Sequence, residues 1–189
     1  MLHKMRVNLN FSYMLSLMLV KKLIYIDSST DEVIFFVKTG SKEIIKKLKL
    51  EKSENLPIIF YKFIILKKIN IDETFDIIIN LGPGNLIGIR NGIILVKMLK
   101  ILFGCRIIGT SFFNIFQLRK KIRDTVLYKV RNYNLLLNIK NRKVQKIAAS
   151  DLKKYKKYSV KKNFLISDIE NLLQNKKFIK KIVPIHLSK

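Results

Sequence analysis

The chain has no tryptophan, a single cysteine, three prolines and two histidines among its 189 residues. One cysteine, Cys105, excludes an internal disulfide and a cysteine-based zinc site, and makes the cytoplasm the expected compartment. The histidines, His3 and His186, stand near the two ends, so no pair one helical turn apart can hold a catalytic metal, and a histidine-dependent triad would rest on His186 alone. Acidic residues are scarce, 13 against 38 basic ones, which leaves a formal net charge of +25. Such a balance points to nucleic acid or an anionic surface. The sequence is also rich in Lys, Ile, Asn, Leu and Phe, the vocabulary of an AT-rich coding sequence, and its basic residues are spread along the chain rather than gathered into one block. Most of the charge therefore reads as composition, with some contribution to RNA binding left open. No apolar run reaches the length of a membrane span.

Residues 1–20 have a basic start and a short apolar run but no small-residue cleavage site. They read as an extension, disordered or upstream of a true start at Met14 or Met18. Beyond it, strands are expected over Lys22 to Asp27, Glu32 to Lys38 and Lys42 to Leu50, joined by polar turns into an antiparallel meander. A helix from Ser53 to about Lys68, with Pro57 in its first turn, is apolar nearly all round and must be covered on more than one side. Strand Phe75 to Asn80, a helix from Asn85 to Phe103 and strand Arg106 to Gly109 suggest a parallel crossover, followed by a helix over Ser111 to Lys121. The remainder is more polar: strands near Val126 to Val130, Leu135 to Ile139 and Lys143 to Ala149, a loop over Asp151 to Lys162, a helix over Ser167 to Gln174 and a closing segment Val183 to Leu187.

The stretch Leu81 to Phe103 organises the first half. Gly82-Pro83-Gly84 delivers a buried strand into a helix that carries Gly84, Gly88 and Gly92 on one face, with Asn85 as N-cap and Gly104 as its stop. Each interior glycine costs a helix up to about 1 kcal/mol, so something must approach that face closely: a phosphate, a sheet or another helix. A phosphate loop would need a lysine and a hydroxyl residue after its last glycine, but Ile89, Arg90 and Asn91 follow Gly88. The glycine spacing fails the dinucleotide fingerprint as well. Arg90 could face an anion near the helix start or be solvated, and Asp27, ending the first strand, is the best candidate for a polar contact.

Two stretches, KLIYIDSSTDEVIFFV and SENLPIIFYKFIILKKINIDETFDIIINLGPGNLIGIRNGIILVKMLKILFGCRIIGTSFF, resemble the TsaB (YeaZ) family of tRNA threonylcarbamoyladenosine biosynthesis. The matching features are Ile26 to Ser28, Ser53 to Pro57, Gly82 to Gly92 and Gly109 to Ser111, with Asn85 and Ile87 where the family has Ser and Thr. The resemblance implies an α/β, actin/Hsp70-like (ribonuclease H-like) mixed sheet with flanking helices. It divides the chain into an N-terminal lobe over 21–112 and a reduced second lobe over 113–189. It further implies a non-catalytic subunit that pairs with TsaD, with the ATPase TsaE and tRNA joining through the complex, no cofactor held firmly by this chain, and ATP or ADP near the subunit interface. A homodimer is an option without TsaD. The implied partner surface comprises Leu56, Phe60, Phe63, Gly84, Gly88, Gly92 and Val96; Asp27 and Arg90 are candidates for an anion or nucleotide contact. The competing readings are a sugar-kinase-like enzyme, against which the glycine-free turn Asp27-Ser28-Ser29-Thr30 counts, and a stand-alone basic RNA-binding protein.

Overall fold

A computed structural model of the chain describes residues 22–49, 55–119, 124–130, 133–155, 166–175, 179 and 182–185. Strands β1 (Lys22–Asp27), β2 (Glu32–Thr39) and β3 (Lys42–Lys49) form the expected meander. Helix α1 (Leu56–Leu66) leads to β4 (Phe75–Asn80), α2 (Leu86–Phe103) to β5 (Arg106–Thr110), and β1, β4 and β5 are mutually parallel. The resulting five-stranded mixed sheet has the order β3-β2-β1-β4-β5. After α3 (Phe112–Leu118), strands β6 (Thr125–Val130), β7 (Tyr133–Asn138) and β8 (Lys143–Ile147) build a separate antiparallel sheet of three. Helices α4 (Leu152–Tyr155) and α5 (Ile166–Asn175) follow.

Alternation along the central strands divides the core between two faces of the large sheet. Ile24, Ile26, Phe35, Ile77 and Ile79 meet Phe60 and Phe63 of α1 and Ile89, Ile93 and Val96 of α2. Phe35 lies 5.2 Å from the Phe60 ring and 5.5 Å from that of Phe63. On the other face Tyr25, Phe36 and Ile78 pack with α3, the small sheet and α5. A strand covered on both sides reads as an unbroken apolar run, and every residue of β4 is buried. The edge strand β3 instead exposes Lys42, Lys46, Lys47 and Lys49, charges that discourage pairing with another chain.

Several boundaries differ from the sequence reading. Helix α1 is described from Leu56 with Asn55 as its N-cap, in helical φ/ψ and without a side-chain capping bond. Helix α3 stops at Leu118, and Ser111 caps it by accepting from the Asn114 amide at 3.3 Å. Leu152–Tyr155, read as loop, forms a short helix, while the rest of that loop, 156–162, and the extension 1–20 lie outside the described residues. Near the C-terminus, Ile185 donates its amide to Leu81 O at 2.9 Å and Ile179 bridges to Gly109. Among the described residues no helix is long and apolar enough to cross a membrane.

Candidate functional site

Helix α2 lies directly on the turn that follows β1. Ser28 Oγ donates to Gly88 O at 2.8 Å, and the Asn85 amide donates to Ser29 O at 2.7 Å. A Cβ added to Gly84, Gly88 or Gly92 would come within 3.0 Å of Ser29 O, Ser28 O or Ser28 Oγ respectively, closer than real Cβ atoms approach. The glycine face is thus filled by the chain's own turn rather than open as a groove for a partner helix. Leu56, Phe60, Phe63 and Val96 are likewise buried within this chain, because their side of α1 and α2 faces the sheet. The residues expected on the partner surface therefore point inward. The outward sides of the same helices carry Ile58, Tyr61 and Ile65 on α1 and Ile87, Ile94, Met98, Ile101 and Leu102 on α2.

Asp27 is buried beneath the turn and held by four donors: the Ser29 amide at 2.9 Å, Ser29 Oγ at 2.6 Å, Asn80 Nδ2 at 2.9 Å and the Tyr25 hydroxyl at 3.4 Å. Burial, and then the Asp27 charge, push the Tyr25 phenol well above its ordinary pKa, so it stays a neutral donor. Asn80 Oδ1 accepts from the Gly82 amide at 3.0 Å, and Tyr128 of the small sheet donates to Pro83 O. Asp27 is thereby wired into the Gly-Pro-Gly loop at the C-terminal ends of β1 and β4.

Beside this network lies a cleft of about 320 Å³ between the β1–β2 turn, α3 and α5. Its charged lining comprises Asp27, Asp31, Glu32 and Asp168 together with Lys49, Arg119 and Lys129. Arg119 grips Asp168 with both arms, Nε to Oδ1 at 2.9 Å and Nη2 to Oδ2 at 2.7 Å. A phosphate fits this lining poorly. Four carboxylates border the cleft, the Ser29 and Glu32 amides already have partners inside the turn, and no glycine stands between Asp27 and Glu32 to let a phosphate reach the backbone. Arg90 is exposed on α2 and does not line the cleft, so the two proposed anion contacts are not brought together. Among the described residues no three His, Cys, Asp or Glu side chains are placed to hold a metal ion.

Sequence reasoning passed over Asn80, Asn114, Arg119, Arg142 and Asp168. Arg142 donates to Asn114 Oδ1 at 2.9 Å and stacks over Phe113 at 5.5 Å, tying the β7–β8 turn to the start of α3. Asn80 was readable as a polar residue ending an apolar strand. The arginine partners lie 28 and 49 residues away and leave no local pattern.

Among solved structures, YeaZ from Pseudomonas aeruginosa aligns over 89% of this chain and all of its own length, with a TM-score of 0.59 and 12% identical residues. The chain carries the YeaZ fold. A Pseudomonas aeruginosa protein described by its similarity to peptidase YeaZ aligns equally far, at a TM-score of 0.60 and 12% identity. No protein-family model matches the sequence, and no curated protein does. The YeaZ-like architecture is the actin-like mixed sheet with flanking helices expected from the sequence.

Proposed function

We propose that this chain is a non-catalytic scaffold that pairs with a TsaD-like subunit and supports threonylcarbamoyl transfer to the adenosine beside the anticodon of tRNA. The reading rests on the YeaZ-like fold together with one surface feature: α1 and α2 expose apolar side chains at helical spacing. Ile58, Tyr61 and Ile65 are 57%, 65% and 59% exposed, and Ile94 and Ile101 are 54% and 83% exposed. A patch of that kind on a folded chain marks a contact surface. A helix-on-helix contact fits it, because ridges at four-residue spacing interdigitate with those of a second pair. The acid-lined cleft adds support for a subunit without phosphate chemistry of its own.

Co-expression with TsaD of the same organism tests the reading. The two chains should co-elute, and the modified adenosine should form only when both are present with TsaE and the small substrates. Ile94→Lys combined with Ile101→Lys should abolish co-elution while leaving the circular dichroism spectrum unchanged. Undiminished co-elution would place the contact elsewhere. Rapid ATP hydrolysis by the isolated chain would favour the sugar-kinase reading instead.

A further inference from the structure

Cations interrupt the apolar face of α1 and α2 at regular intervals. On α2 the exposed Ile87, Ile94 and Ile101 stand seven residues apart. Arg90 and Lys97 fall between them, each three residues after one isoleucine and four before the next. On α1, Lys62 follows the exposed Ile58 by four residues and precedes the exposed Ile65 by three. Residues three and four apart are neighbours on a helix surface, so each cation lies beside two isoleucines on the side turned away from the sheet.

Lys62, Arg90 and Lys97 are exposed, and none has an ion-pair or hydrogen-bond partner among the described residues. Neither helix contains an aspartate or a glutamate. A body that covers the isoleucines also presses on these charges and takes water from them. An unpaired cation resists that loss of water, whereas a facing carboxylate offsets it. A second copy of this chain, meeting the face with its own α1 and α2, brings further cations and no helix carboxylate. An anionic membrane would attract the charges, but a helix lying on a membrane keeps its apolar residues on one side and its cations on the other. Here the two alternate along one stripe, with the seven-residue period of facing helices, where a charge among apolar contacts selects the partner.

We propose that Lys62, Arg90 and Lys97 set the specificity of this face: it accepts a helical surface that combines apolar side chains with carboxylates, and it rejects a second copy of this chain. The inference rests on the pairing with a TsaD-like subunit proposed above, and it names the chemistry that subunit must present.

Titration calorimetry of the full chain with TsaD of the same organism, between about 50 and 500 mM salt, tests the accepted partner. The dissociation constant should rise at least about fivefold across that range. Arg90→Glu with Lys97→Glu should weaken the pairing at least about tenfold at low salt. The control on β3, Lys46→Glu with Lys47→Glu, changes net charge equally and should weaken it less than about threefold. A salt-independent affinity, or equal losses in the two pairs, would overturn the proposal. Sedimentation tests the rejected one: the parent chain alone should run as a monomer, and Arg90→Leu with Lys97→Leu, which makes the stripe continuous, should run as a dimer. A parent that dimerises as tightly as the Leu variant would overturn the exclusion of a second copy. Should the Leu variant aggregate, Arg90→Gln with Lys97→Gln removes the charge without adding apolar surface and should flatten the salt dependence. Absence of TsaD binding at every salt concentration would sink the pairing itself, and the sedimentation comparison would then decide alone whether the cations exclude a second copy. Binding of the parent to phosphatidylserine vesicles, lost in the Glu variant while TsaD affinity stays unchanged, would assign the face to membrane instead.

Discussion

Arg119 follows α3, and Asp168 lies in the first turn of α5; their paired hydrogen bonds at 2.9 and 2.7 Å join two helices that meet nowhere in sequence. The carboxylate is 2% exposed and the guanidinium 17%, so solvent screens the pair little. Asp168 also sits where a helix N-terminus favours negative charge. Removing one partner breaks a buried ion pair, a change that costs about 3 to 5 kcal/mol. Asp168→Asn should therefore lower the urea-derived unfolding free energy by about 3 kcal/mol. The double change Arg119→Met, Asp168→Leu should cost less than the two single changes summed. Additive losses would mean that the two side chains act independently. The pairing of Arg119 with Asp168 leaves no trace in local sequence. Asp27, by contrast, stands out because it ends an apolar strand, and the strand's alternation puts it on the face where Asn80 and Tyr25 can reach it.

At the scale of elements, every strand of the large sheet and both of its long helices could be read from alternation, turn residues and glycine placement. Burial writes those patterns into contiguous sequence. What spacing could not supply was the identity of the body facing the glycines. Three bare positions on one helix face demand a close neighbour, and a turn 60 residues upstream satisfies them as well as a second protein would. Gly88→Ala decides this physically. Alanine gains up to about 1 kcal/mol in helix propensity, but its Cβ must displace the Ser28 carbonyl, and forced repacking costs about 1 to 3 kcal/mol. Chemical denaturation should show a net loss of about 1 kcal/mol or more in the isolated chain. Ile87→Ala, on the exposed side of α2, should change stability by less than about 0.5 kcal/mol. A stabilised Gly88→Ala would show that the turn does not seat the helix.

Across the whole molecule, two buried tyrosines mark where the sheets are joined. Tyr25 belongs to β1, Tyr128 to β6, and Tyr128 reaches across to the carbonyl of Pro83 in the loop that launches α2. Burial raises the pKa of both phenols well above the ordinary value near 10, and the Asp27 charge adds to each. In the unfolded chain they ionise near pH 10, while in the folded chain they keep their protons. The unfolded state then binds fewer protons, so stability falls as pH rises. The contribution is complete below pH 10 and is lost progressively above it, at about 1.4 kcal/mol per pH unit for each tyrosine. Lysines ionise in the same range, so the useful comparison is with Tyr25→Phe and Tyr128→Phe. Each variant should remove about one such increment from the slope of unfolding free energy against pH between 10 and 11.5. The difference in phenolate absorbance between the parent chain and each Phe variant, which isolates Tyr25 or Tyr128 from the chain's other tyrosines, should stay near zero until unfolding begins. Gradual growth of that difference with the fold intact would mean that water reaches the junction, and that the small sheet opens from the large one before the molecule unfolds.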